Sequence, residues 1–369
     1  MNILIAPDSF KGTLTAQEVC DIIGKAFSDK IKDVKITKLP VADGGEGLCS
    51  CFHNIIGGEF ISETVSGVFG EKMQAEYLML PDKTAVIETA SCAGLPLAGN
   101  NKNPEKATTK GVGELIISAK EKGAKKILLG LGGSATNDCG TGMAFALGYK
   151  FLDKNKKEIF PKGENLSEIY EIISPEKPIE IPVIAACDVT NPLYGEKGAA
   201  FVFAPQKGAD EEMVKRLDSG LRHISDVIYS SLCVKVSDIS GAGAAGGMGA
   251  GTLAFLGGKL EKGIDIILDT VKFDEKLKDA DLVITGEGRL DFQSLDGKVI
   301  SGVTQRAVRA GKKVITICGC KGEGAEKAFD IGVSEMYFSV NEPKPFDEVK
   351  KTCREDLYKA VVNGPWPFL

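Results

Sequence analysis

Asp281-Leu282-Val283-Ile284-Thr285-Gly286-Glu287-Gly288-Arg289-Leu290-Asp291 decides how the chain is read: an apolar, strand-like run passes directly into a Gly-rich loop bearing acids and an arginine. The chain opens in the same way. Asn2 to Ala6 predicts a strand, Pro7-Asp8-Ser9 a turn, and Thr15 with Glu18 the capping-box spacing that starts a helix. Val34 to Leu39 predicts a second strand, which runs through Pro40 into Ala42-Asp43-Gly44-Gly45-Glu46-Gly47. After Asp291 come a helix from about Gly297 to Ala310 and strands at Lys313 to Ile317 and Met336 to Val340. Two strands at one end and three at the other make one five-stranded parallel, Rossmann-like sheet if the middle of the chain leaves and returns.

The middle reads differently. Extended segments at Glu59 to Val65, Met73 to Leu80 and Ala85 to Glu88 follow one another without long helices, which predicts antiparallel or mixed pairing. A helix from Thr109 to Lys122, a strand from Lys126 to Leu131, a helix after Asp138 and a strand from Ile181 to Ala186 complete it. The fold class is therefore α/β with two domains, as 369 residues suggest. Residues 1–66 and 270–369 form the discontinuous Rossmann-like domain, 67–269 the inserted mixed α/β domain, and the active site is expected in the cleft between them.

Composition excludes several classes. With 43% hydrophobic and 26% charged residues and a net charge of −6, the chain is ordinary for a globular protein and unsuited to general nucleic-acid binding. No apolar run is long enough to span a membrane. The ten cysteines are scattered and no secretory signal opens the sequence, so reduced thiols and a cytoplasmic location are expected. Cys49/Cys51 and Cys318/Cys320 lack the spacing and the histidines of a zinc site. His53 and His223, the only histidines, fall on helices, which leaves a Ser-His-Asp hydrolase unsupported.

Five loops carry the chemistry: APDSFKG (6–12), ADGGEG (42–47), GLGGSATNDCG (130–140), ACDVTNP (186–192) and TGEGRLD (285–291). Glycine lets backbone approach a ligand and present N–H groups, so glycines beside acids and a lysine point to polyanions and metals. In GLGGSATNDCG, Gly132, Gly133, Ser134 and Asn137 form a candidate anion loop before a helix capped by Asn137 or Asp138; a capped turn is the plainer alternative. Lys11, with Ser9, follows a strand and can reach a phosphate, although a solvated surface lysine fits equally. Asp188 follows Ile184 to Cys187, where a buried carboxylate needs a metal, a substrate hydroxyl or a helix start as partner. Asp43, Glu46 and Asp291 are candidate Mg²⁺ ligands and Arg289 a clamp for carboxylate or phosphate; turn acids with internal ion pairs are the alternative. No Walker A loop exists, since Phe292 replaces the upstream glycine of Leu295 to Val299. The spacings Gly130-x-Gly132-x-x-Ala135 with Asp153, and Gly241-x-Gly243-x-x-Gly246, approximate a dinucleotide fingerprint. An NAD-dependent dehydrogenase of a small hydroxy acid thus stays open, as does a non-catalytic phosphometabolite-binding protein.

Taken together, APDSFKGTLTA, LPVADGGEG, ETASCAGL, LGLGGSATNDCGTGMAFALG, ACDVTNPLYGEKGAAFVFAPQKGA, GAGAAGGMG and ITGEGRLDFQSLDGKV resemble bacterial glycerate kinase of type 1, in order and across nearly the whole chain. The resemblance implies ATP-dependent phosphorylation of D-glycerate, with 2-phosphoglycerate favoured over 3-phosphoglycerate and ATP and Mg²⁺ as cofactors. On this reading Asp188 is the base or the Mg²⁺ organiser, and Lys11 and Arg289 hold phosphate or carboxylate. A homodimer is left open. One departure is the tail from Val361, where Gly364 and Pro365 stop a helix and leave the only tryptophan, Trp366, in a short apolar end.

Overall fold

The computed structural model describes residues 1–42, 47–295, 297–340, 342 and 344–366, so Asp43 and Glu46 of the expected metal set lie outside the described residues. By contact the chain separates into two compact units, 1–44 with 263–369 and 45–262. The strands of the first unit's opening are β1 (Asn2–Ile5) and β2 (Lys35–Lys38). Those of the second unit are β3 (Glu59–Ser66), β4 (Lys72–Met79), β5 (Thr84–Glu88), β6 (Lys126–Gly130), β7 (Lys150–Leu152), β8 (Glu171–Ile173), β9 (Val183–Ala186) and β10 (Lys259–Glu261). The chain then returns to the first unit with β11 (Leu282–Thr285), β12 (Arg289–Leu290), β13 (Lys313–Lys321) and β14 (Glu335–Val340).

The first unit's sheet is parallel throughout and runs β2-β1-β11-β13-β14. The two-residue β12 pairs with the end of β13, making six strands where five were expected. A parallel sheet is covered on both faces, so its central strands are apolar without alternation. Ile3 to Ile5, Leu282 to Ile284 and Val314 to Ile315 are accordingly buried. The helix Ala16–Lys30 begins as its spacing predicts: the Glu18 amide donates to Thr15 Oγ1 at 3.2 Å and the Thr15 amide to Glu18 Oε2 at 2.8 Å. Its buried Val19, Ile23 and Phe27 recur every fourth residue and face the sheet core. The helix Phe346–Val362 adds Cys353, Leu357 and Val361 to that core, and beyond it Trp366, only 5% exposed, packs into the same core.

The second unit's main sheet runs β10-β9-β6-β5-β4-β3, parallel from β10 to β5 and antiparallel from β5 to β3, the mixed pairing expected. A separate antiparallel pair, β7 and β8, lies outside it. β3 pairs with β4 from end to end, which carries a segment expected in the first domain into this unit. Residues 263–269 go the other way, because Ile264 packs on Gly302, where a Cβ would stand 2.5 Å from Ile264 Cγ1. The helices Lys110–Glu121 and Glu211–Leu232 turn Val112, Leu115, Ile116 and Ala119, and Leu217, Leu221, Ile224 and Ile228, into one core with the sheet. Among the described residues no helix is long and apolar enough to cross a membrane.

Candidate active site

In chain order the first unit's longer strands are β1, β2, β11, β13 and β14, so their spatial order is the doubly wound 2-1-3-4-5. The direction of winding reverses between β1 and β11, and open parallel sheets take ligands at the C-terminal ends of the strands flanking such a reversal. The loops leaving these two strands are laced together. The Ala6 amide donates to Ile284 O at 2.7 Å, the Asp8 amide to Gly286 O at 2.8 Å, and Thr285 Oγ1 to Ala6 O at 2.9 Å. Gly286 must be glycine, because a Cβ would stand 1.9 Å from Ile317 O.

Within these loops Ser9 is half-buried, its amide donating to Asp8 Oδ1 at 2.6 Å, and Lys11 is exposed. Arg289 lies 3.6 Å from Asp291 Oδ2 with its side chain 64% exposed, an ion pair too solvated to contribute much stability. Glu287 is the electrostatic centre. Its Oε1 is buried with no hydrogen-bond partner, and burial pushes its carboxyl up to about 7. The Ser294 hydroxyl and Lys298 oppose that rise, while Asp8 and Asp291 reinforce it.

The second unit gathers three loops at the C-terminal ends of β6 and β9. The Cys139 amide donates to Gly246 O and the Gly243 amide to Asn191 O, both at 3.0 Å. Asp138 is fully buried: its Oδ2 accepts from the Thr109 amide and hydroxyl, both at 2.8 Å, and from the Gly142 amide at 3.3 Å, while Oδ1 accepts from the Gly140 amide at 3.2 Å. Burial raises its pKa and these donors act against the rise. Lys207, 3% exposed, donates from Nζ to Ser134 Oγ at 2.9 Å and to Thr136 O at 2.7 Å. Burial lowers its pKa to about 7, with Asp138 pulling the other way. Asn137 is also fully buried, and neither polar atom of its amide has a partner.

Gly246 keeps this arrangement in place. Its φ is +70°, and a Cβ would stand 2.0 Å from Thr136 O, the carbonyl that Lys207 holds. Replacing Gly246 with alanine is expected to destabilise the protein by about 2–4 kcal/mol, from left-handed strain and displaced backbone together. Urea denaturation of the variant measures this, and a loss below about 0.5 kcal/mol would show that the loop yields easily.

Several expectations change. The helix after the glycine loop is Thr141–Ala146, capped by Gly140 in the left-handed conformation and not by Asn137 or Asp138. The donors at its start are engaged by the Asp138 carboxylate, so an anion is left with the exposed Gly132 and Gly133 and not with the helix end. Ser134 is buried on Lys207. Asp188 is exposed, so the cost of burying it, inferred from its apolar neighbours, does not arise; Cys187 is the last buried residue of that run. His53 is exposed beside Phe60, and His223 Nε2 lies 2.7 Å from Ile169 O, so neither joins these clusters. Among the described residues no group of three or more histidines, cysteines and acids forms a ready metal cage. Lys207 was not singled out from the sequence; Pro205-Gln206-Lys207-Gly208 reads as a polar surface turn.

A doubly wound parallel sheet with acids and cations at its reversal point, joined in one chain to a mixed sheet with Gly-rich loops at its strand ends, defines an α/β enzyme built for small anionic ligands. The chain belongs to the glycerate kinase family, whose model matches residues 3–363, and is accordingly a phosphotransferase of the kinase class. It is 42% identical over 368 residues to the glycerate kinase of Bacillus cereus, with 98% of this chain and 97% of that protein covered. The glycerate 2-kinase of Escherichia coli K12 is likewise 42% identical over 368 residues, with the same coverage of 98% and 97%. A crystal structure assigned as glycerate kinase 2 from Salmonella typhimurium LT2 superposes with a TM-score of 0.85 at 39% identity, covering 98% of this chain and 96% of that one.

Proposed function

We propose that this chain is an ATP-dependent kinase of D-glycerate that forms 2-phosphoglycerate in preference to 3-phosphoglycerate. The supporting observation is similarity along the whole length, 98% of the chain, to a protein named glycerate 2-kinase. Phosphoryl transfer asks a protein mainly for positioning and for charge stabilisation. Lys11 and Arg289 supply cations for phosphate or carboxylate, with Ser9 in the same loop as Lys11. Gly132, Gly133, Ser134 and Asn137 make up the anion loop. Asp188, exposed just beyond β9, accepts the glycerate hydroxyl proton or organises the metal; in the first unit, Glu287 is the alternative proton acceptor.

Mg²⁺ fits the first cluster. Mg²⁺ needs only one or two protein carboxylates with water as its other ligands, and Asp8 and Asp291 lie near enough to Glu287 to raise its pKa. Asp291 would help to hold the ion, which when bound would offset the charge of the transferring phosphoryl group. The buried thiols of Cys20, Cys49, Cys92, Cys139, Cys187, Cys318 and Cys353 suit a reducing compartment such as the cytoplasm.

The test is ADP release in the presence of ATP, Mg²⁺ and D-glycerate, with L-glycerate and acceptor-free controls and phosphorus NMR of the product. Release that requires D-glycerate, with a 2-phosphate product, is the expected result. ADP without any acceptor, or none at all, overturns the proposal, and a 3-phosphate product overturns its regiochemistry.

A further inference from the structure

We propose that Lys207 is a positioning residue acting from behind the Gly130–Gly140 loop: its ammonium fixes the Ser134 hydroxyl and the Thr136 carbonyl, and holds positive charge beneath an anion accepted by the Gly132 and Gly133 amides. The inference deepens the kinase reading and rests on that loop being an anion site. The geometry comes from both faces of the loop. On the inner face, Lys207 is 3% exposed and two of its three N–H donors are engaged by the loop itself. On the outer face, Gly132 and Gly133 are exposed, and their amides donate to no acceptor among the described residues. Further along the same loop Asn137 is wholly buried with both amide atoms unpartnered, an unsatisfied group that a bound ligand or its water can complete.

A lysine in this position is an adjustable charge. Asp138 is the charged group that bears on it, and that carboxylate is itself engaged by Thr109, Gly140 and Gly142. Burial and Asp138 push the neighbouring Cys139 thiol far up, so it stays neutral. With its pKa near 7, Lys207 divides between its charged and neutral forms around neutral pH. A nearby anion favours the charged form, so binding raises that pKa, takes up a proton, and weakens as pH rises through 7.

The experiment is titration calorimetry of the full chain with ATP and, separately, with D-glycerate, at about pH 6 and about pH 8.5 in buffers of different ionisation enthalpy. One of the two ligands is expected to bind with proton uptake and to weaken about tenfold between these pH values. Which ligand responds identifies the anion as phosphate or carboxylate. Lys207→Met, checked for a native melt, is expected to weaken the same ligand about tenfold at the lower pH and to abolish the uptake, leaving the other ligand unchanged. Absence of proton uptake with both ligands in the wild-type protein overturns the proposal without recourse to any variant. A folded Lys207→Met protein that binds both ligands as wild type does the same. Neither measurement needs turnover, so a chain that binds but makes no phosphoglycerate sinks the kinase reading alone.

Discussion

Replacing Glu287 with glutamine is expected to lower kcat by about 10²–10⁴-fold, the usual contribution of a well-placed proton acceptor. The position is fixed by backbone: Gly286 admits no side chain against Ile317 O, and the Gly319 amide holds Glu287 O at 3.0 Å. The carboxyl is buried enough for its pKa to reach about 7, and one oxygen has no protein partner. Such a group is poised to accept a proton at neutral pH, whereas glutamine keeps the shape and loses the basicity. Wild-type kcat/KM should therefore fall below about pH 7 as Glu287 protonates, and the variant should lose this acid limb. Stability should move the other way. Because the folded pKa lies above the ordinary carboxyl value of 4.5, the folded state retains a proton that the unfolded chain releases between 4.5 and about 7, so stability declines as pH rises through that window. Above it, glutamine relieves the buried charge, and the variant should melt no lower than wild type. A variant that turns over within tenfold of wild type removes Glu287 from the machinery; one that is inactive but also unstable makes the residue structural.

The parallel sheet was legible because its strands are buried on both faces: Ile3 to Ile5 and Leu282 to Ile284 are unbroken apolar runs, and Thr15 with Glu18 marked the first helix. Strand order was not legible, since hydrophobic runs carry no record of their neighbours, and β12 has only two residues. The loops that gather at strand ends were found through their glycines and acids. The roles inside them were hidden because burial depends on packing from distant segments. Asp188 follows an apolar strand yet is exposed, while Lys207 sits in a polar-looking turn yet is buried against the loop that carries Thr136, 71 residues before it. Asp138 was read as a helix cap, but the left-handed Cys139 and Gly140 that follow delay the helix and turn the carboxylate inward. Local propensity could not foresee that an acid would occupy the very donors an anion was expected to use.

Trp366→Ala is expected to destabilise the protein by about 3–5 kcal/mol, as for other buried tryptophans replaced by alanine. The sequence shows only a short apolar end after a stopped helix; in the fold the ring lies 4.9 Å from Phe27 and 4.3 Å from Tyr337, centroid to centroid, and Nε1 donates to Val361 O at 2.7 Å. Lys30 secures the turn by donating from Nζ to Val362 O at 2.7 Å and to Gly364 O at 2.8 Å. Gly364 is needed for the chain to fold back, because a Cβ there would stand 2.8 Å from the indole. The indole thus closes a core shared by the first and last helices, and its removal leaves a cavity bordered by two aromatic rings that cannot collapse without moving the backbone. As the chain has a single tryptophan, emission of the wild-type protein reports this core alone, while circular dichroism reports both units. The wild-type emission should be blue-shifted and shielded from acrylamide, and should change in the same urea transition as the first unit's unfolding. A solvent-like spectrum, or a cost below about 1 kcal/mol for Trp366→Ala, would show the tail to be detached; a normal cost with kcat nearly unchanged at low temperature would show that it closes the fold without serving the loops.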